Sequence, residues 1–272
     1  MSLQSMGARA AIIALAAALF APCLVRAQSL WLPRDVDQSV TLEILKPNFD
    51  YPSSAGDESF GTVALWLTAR LPVREKLSLI VQVPASHYSG PDNYTQSETA
   101  LGNLYFGIEG HGPTFVELGV HIPTSSGNSF SALATGLVSD IGRWESFYHD
   151  VLSVQAAFHV HRVTESHLML GLRLSGDVSI PTVGRSETEF IGGFAGRIGY
   201  EDARVRLGGG ITNRILVTEN VPKFADRMEH QVELHADVGS GTFRPGVDAH
   251  FPLKDIKDFV PIVYGVNFRY IF

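Results

Sequence analysis

Residues 260–272 read VPIVYGVNFRYIF. In an extended chain successive side chains point to opposite sides. Ile262, Tyr264, Val266, Phe268, Tyr270 and Phe272 therefore share one face, and Val263, Gly265, Asn267 and Arg269 share the other. The first face is apolar throughout, while the second carries an arginine and an asparagine. Such a strand asks for an apolar medium on one side and a polar one on the other.

The same alternation recurs along the chain. Residues 39–48 set Val40, Leu42 and Ile44 against Thr41 and Glu43, and residues 61–71 set Val63, Leu65, Leu67 and Leu71 against Trp66, Thr68 and Arg70. Comparable segments are expected at 76–83, 100–109, 114–122, 150–163, 167–178, 190–200, 204–215, 230–238 and 243–251, giving about twelve strands of the length that crosses a bilayer at a tilt. Short turns such as Thr164-Glu165-Ser166 and Gly239-Ser240-Gly241 alternate with longer connections. Residues 84–99, rich in turn formers, read as an exposed loop. Within residues 124–149, a strand over 132–141 competes with a short amphipathic helix. Leu133, Leu137, Ile141, Trp144 and Tyr148 recur at helical spacing, which favours a helical extracellular loop able to act as plug or lid.

Residues 1–27 have the form of a cleavable secretory signal: Arg9, an alanine- and leucine-rich run, then Val25-Arg26-Ala27. The rest, 28–272, reads as one domain. Removing the signal would take Arg9, Arg26 and the single cysteine, Cys23, so no disulfide framework is available and the net charge of −7 becomes more negative. No basic stripe suggests a nucleic-acid partner. No run of eighteen apolar residues follows the signal, which excludes helical spans. The expectation is an all-β, transmembrane, antiparallel up-and-down barrel with short periplasmic turns and long extracellular loops. Closure satisfies the backbone groups that an open sheet would leave bare in lipid.

The terminal segment resembles the last strand of bacterial outer-membrane β-barrels. That resemblance implies that Tyr264, Phe268, Tyr270 and Phe272 form the signal read by the barrel-insertion machinery. Pro84-Ala85-Ser86, Ala100-Leu101-Gly102-Asn103-Leu104-Tyr105-Phe106-Gly107 and Gly119-Val120-His121-Ile122-Pro123-Thr124 resemble the pattern of the barrels associated with phenol meta-pathway degradation. Asn103 stands where that pattern has Asp. The resemblance implies a barrel that admits small hydrophobic or aromatic compounds.

If the apolar faces meet lipid, the other faces fill the lumen. The candidates are Arg70, Glu109, Glu117, His121, His159, His161, Arg173 and Asp177 in the first seven strands, and Arg197, Arg206, Glu233, His235, Asp237, Asp248, His250 and Arg269 in the rest. Both signs are present, so cross-strand ion pairing competes with a charge-lined solute path. His159 and His161 share a face, but a metal site needs further ligands. No metal, cofactor or catalytic group is expected, and the chain reads as a non-enzyme. The reading is a monomeric outer-membrane channel for small molecules, with outer-membrane lipid and the insertion machinery as its partners. A closed structural or adhesive barrel and a lipid-modifying enzyme are the alternatives.

Overall fold

The computed structural model describes residues 38–50, 61–90, 97–125, 127–184, 187–218, 227–239 and 241–272. The expected signal segment, 1–27, lies outside the described residues. The strands are β1 (Ser39–Asn48), β2 (Val63–Arg74), β3 (Leu77–Tyr88), β4 (Glu98–Leu101), β5 (Leu104–Gly110), β6 (Thr114–Ile122) and β7 (Val151–Val163). They continue as β8 (Leu168–Pro181), β9 (Glu189–Glu201), β10 (Val205–Leu216), β11 (Met228–Val238), β12 (Phe243–Pro252) and β13 (Ile262–Ile271). All belong to one antiparallel sheet in which chain neighbours pair.

β4 and β5 both pair with β3 and follow one another through Gly102 and Asn103, so they form one broken strand. The wall thus has twelve positions. β13 pairs with β12 on one edge and along the whole of β1 on the other, and β1 lies beside β2, which closes the cylinder. The chain folds as a closed, antiparallel up-and-down β-barrel.

Register fixes which side chains look outward, because a slip of one residue would exchange the two faces. Val116, Ile198, Val247 and Tyr264 are 53%, 58%, 57% and 55% exposed, while Glu117, Asn267 and Arg269 on the opposite faces are 0% exposed. The exterior is thus a continuous apolar surface around a polar interior. Water does not tolerate so large an exposed apolar band, and lipid does. The turns at 75–76, 111–113, 164–167 and 202–204 gather at one end with the start of β1 and the end of β13, and the longer connections lie at the other.

One expectation needs correction. β3 runs on to Tyr88 and β4 starts at Glu98, so most of the described part of 84–99 is wall. Pro84 is accommodated because its carbonyl still accepts the Gly102 N–H at 2.9 Å. Lys76 and Arg204 are exposed in turns, where chain reversal takes their side chains out of the alternation. The favoured helix in the 124–149 connection is present as α1 (Phe130–Ser139).

Candidate functional site

The described residues of the segment between β6 and β7, 123–125 and 127–150, fold into the barrel instead of over its rim. α1 lays Ala132 and Leu133 on the inward side chains Leu45, Ala64, Trp66 and Val263 of β1, β2 and β13, with Leu137 packed at the edge. The helical period does not run through to Tyr148. It breaks at Asp140, whose backbone is extended (φ −152°, ψ 106°), and a 3-10 turn over Ile141–Ser146 follows. Ile141 is fully buried, while Trp144 and Tyr148 are half-buried. Phe147 returns to the same apolar cluster and meets the Trp66 ring edge-on at 5.4 Å. Gly136 permits this approach, since a Cβ there would lie 2.4 Å from the Phe147 ring. α1 has no capping side chain of its own at Ser129. Its first free N–H groups, on Ser131 and Ala132, donate instead to Glu98 of β4 at 2.8 and 3.3 Å.

Two charged clasps join the loop to the walls. Arg143 donates to both carboxylate oxygens of Glu43 in β1 at 2.7 and 2.8 Å and to Asp140 at 2.6 Å, with its guanidinium 4.1 Å from the centre of Trp66. This is the fork geometry that arginine presents to carboxylates and ring faces. Burial alone would raise the Asp140 pKa, but the Arg143 charge, the His250 charge and the Gly142 N–H together hold it below the usual carboxylate range. Burial works against Arg143 as well, and Glu43 and Asp140 outweigh it and raise its pKa. On the other side of the lumen, Arg214 of β10 donates to both Glu145 oxygens and, at 3.1 Å, to the Gly142 carbonyl. The Ile141 N–H reaches the Gln231 side chain of β11 at 3.4 Å.

Asn103, at the break between β4 and β5, ties the loop's two ends together. Its amide donates to the carbonyls of Glu145 and Tyr148 at 2.9 and 2.5 Å, and its oxygen accepts from the Thr124 and Ser125 N–H groups at 3.2 Å and from the Ser125 hydroxyl at 2.8 Å. Gly102 beside it has no room for a side chain, because a Cβ would lie 2.2 Å from the Ser146 carbonyl oxygen. The stretch 100–107 and the Gly119–Thr124 segment, singled out in the sequence, thus form the socket of the loop.

The lumen candidates all project inward, and most are paired. Arg70 meets Glu109 at 2.5 Å, Arg197 meets Glu233 at 3.1 Å, and Arg206 meets Glu201 at 3.1 Å. Glu117 accepts from the Tyr105 hydroxyl at 2.6 Å and lies 2.8 Å from His159. His235 bridges Asp248 at 2.7 Å and Asp237 at 3.1 Å, and Asp237 also meets Arg269 at 2.9 Å. His250 lies 3.1 Å from Gln231. His161 sits 3.3 Å from Glu201, so the two histidines that share a strand face have different partners. Asp177 lies 3.8 Å from Arg214, and Arg173 is buried on the same strand as Asp177. His121 is buried against Tyr105, with ring centres 4.7 Å apart. Among the described residues, no group of three or more potential ligands is placed to hold a metal ion.

Sequence reasoning overlooked Asp140, Arg143 and Glu145. The signal was present: three charged residues inside a segment of helical apolar period, too many for a helix resting on an apolar rim.

No protein-family model matches the chain, and no curated protein matches it either. Solved structures do. An outer membrane channel from Pseudomonas putida F1 is similar with a TM-score of 0.59 and 10% identity, over 90% of this chain and 99% of that one. LpxR from Salmonella typhimurium is similar with a TM-score of 0.50 and 9% identity, over 86% and 99%. These likenesses show the fold: the protein is an outer-membrane β-barrel. They also correct the expectation of a non-enzyme. Barrels of this architecture include enzymes as well as channels, so the fold gives no ground for excluding catalysis.

Proposed function

We propose that this barrel is a channel for small molecules and that its inserted loop is the gate. The observation that carries the reading is the loop itself, clasped from Glu43 on one wall to Arg214 on the other above a lumen lined by charge. Cavities of about 350 Å³ beside Arg70, Phe115 and His161 at the turn end, and of about 240 and 270 Å³ beside Tyr148 at the loop end, lie at the two ends of the barrel. The likeness to a protein described as an outer membrane channel supports the same reading. It brings with it a cleavable signal over 1–27, a single barrel domain over 28–272, a monomeric state, a lumen role for the inward charges, and insertion guided by Tyr264, Phe268, Tyr270 and Phe272.

The test is ion conductance of the refolded protein in a planar bilayer, with Glu145→Gln as the comparison. Steady conductance that rises in the variant supports a gated channel, and silence in both forms contradicts it. The extensive pairing of lumen charges favours one other reading, a closed structural barrel, which sustained conductance would exclude.

A further inference from the structure

The inserted loop does not fill the lumen evenly. α1 packs on β1 to β4 and the 3-10 turn meets β10 and β11, but no comparable packing joins the loop to β7, β8 or β9 among the described residues. The wall opposite the helix is built differently from the wall beneath it. Under α1 stand Trp66, Leu45 and Val263. Across the lumen, the inward positions of β7 to β9 include Ser153, Ser175, Ser179 and Gly193, which project little volume.

That same side holds a buried polar cluster around His121. Both ring nitrogens of His121 and the Gln155 side-chain oxygen are buried with no hydrogen-bond partner, and the buried Asp177 carboxylate beside them lies 3.8 Å from Arg214. His121 and Asp177 are each 2% exposed. His121 is opposite Ser153, Ser153 opposite Ser179, and Gln155 opposite Asp177, so the groups form adjoining layers of one patch. Buried polar atoms are costly when unpaired, and a cluster of them calls for water or a polar guest. Ser179, opposite Ser153 in this patch, also lines the cavity of about 240 Å³ at the loop end.

We infer that solutes pass along this side, between the inserted loop and β6 to β9, and that His121, Gln155 and Asp177 form a polar station on the way. The station presents donors and acceptors with charges of both signs around it, Arg173 and Arg214 beside Asp177 and Glu117. A patch so balanced suits small neutral solutes bearing hydroxyl groups, which use donors and acceptors together, over bare hydrocarbons or simple ions. The inference rests on the channel reading and adds a route and a solute class to it.

The experiment uses the full chain with Cys23→Ala, adding Ser179→Cys on the passage or Ser86→Cys on the wall beneath α1. Each is treated with a water-soluble cationic methanethiosulfonate, and glycerol entry is followed by liposome swelling. Thiol modification follows access, so Ser179→Cys is expected to react on the order of tenfold faster than Ser86→Cys. Glycerol entry is expected in the parent and is expected to fall after Ser179→Cys is modified. His121→Leu, which removes both ring nitrogens, is expected to slow glycerol while ion conductance changes less. Equal reactivity at the two positions would overturn the route and leave the channel standing. Modification of Ser179→Cys without glycerol entry in the parent would overturn the solute class. An inert Ser179→Cys in a protein that conducts ions would overturn the route, whereas silence in conductance and swelling would remove the channel reading itself.

Discussion

The loop is held by two walls in two different ways. On β1, β2 and β13 it buries Leu133, Ala132 and Phe147 against Trp66, Leu45 and Val263, with the Arg143 clasp set into that apolar contact. On β10 and β11 it is held through polar groups, Arg214 on Glu145 and Gln231 on the Ile141 N–H. Apolar packing is non-directional and survives small shifts, whereas a buried ion pair loses its balance once its geometry opens. The first wall therefore acts as a hinge and the second as a latch. Motion of the loop should begin at Arg214 and Glu145.

The largest effect is expected from the hinge. Trp66→Ala removes the ring that Phe147 and Arg143 both use and should cost about 3–5 kcal/mol, the range for large aromatic truncations in cores. Urea unfolding and protease sensitivity of the 127–149 segment would both register it, and an unchanged midpoint would break the comparison. Next comes the latch. Glu145→Gln leaves the buried Arg214 with the Asp177 carboxylate, 3.8 Å away. This should destabilise the closed loop by roughly 3 kcal/mol while the barrel persists. Loop cleavage should accelerate with the global unfolding midpoint nearly constant, a separation that Trp66→Ala should not produce.

A smaller effect is expected at the socket. Asn103→Asp loses the two N–H donors that reach the Glu145 and Tyr148 carbonyls, at about 1–3 kcal/mol. Hydrogen exchange at residues 144–148 should rise, and no change would mean that the socket follows the loop without holding it. The smallest effect is with pH. The Asp140 pKa is depressed in the folded protein, so its contribution is present above the ordinary aspartate value and is lost as pH falls below about 4. Proteolysis of the loop with an acid-tolerant protease that rises between pH 5 and 7 would contradict the assignment.

The twelve wall positions were legible because a half-buried strand writes its geometry into every second residue, and β1, β6 and the terminal strand match their sequence segments closely. The break at Gly102 and Asn103 was visible only as a departure from a motif. What it does depends on carbonyls more than forty positions away, which no local pattern encodes. The helical period of 130–148 was readable, but amphipathicity says only that one face is apolar, and a rim and a lumen wall both satisfy it. Arg143 and Glu43 lie a hundred residues apart, and their pairing follows from closure of the barrel, not from either neighbourhood. The histidines illustrate the same limit. A shared strand face placed His159 and His161 together, and the strands on either side gave them separate carboxylates.

The most direct test of the gate is single-channel conductance of the refolded protein, intact and with residues 128–146 deleted. The account predicts a small conductance in the intact barrel and a markedly larger one after deletion, with the barrel still folded by circular dichroism. Equal conductance in the two forms would show that the inserted loop does not control the lumen.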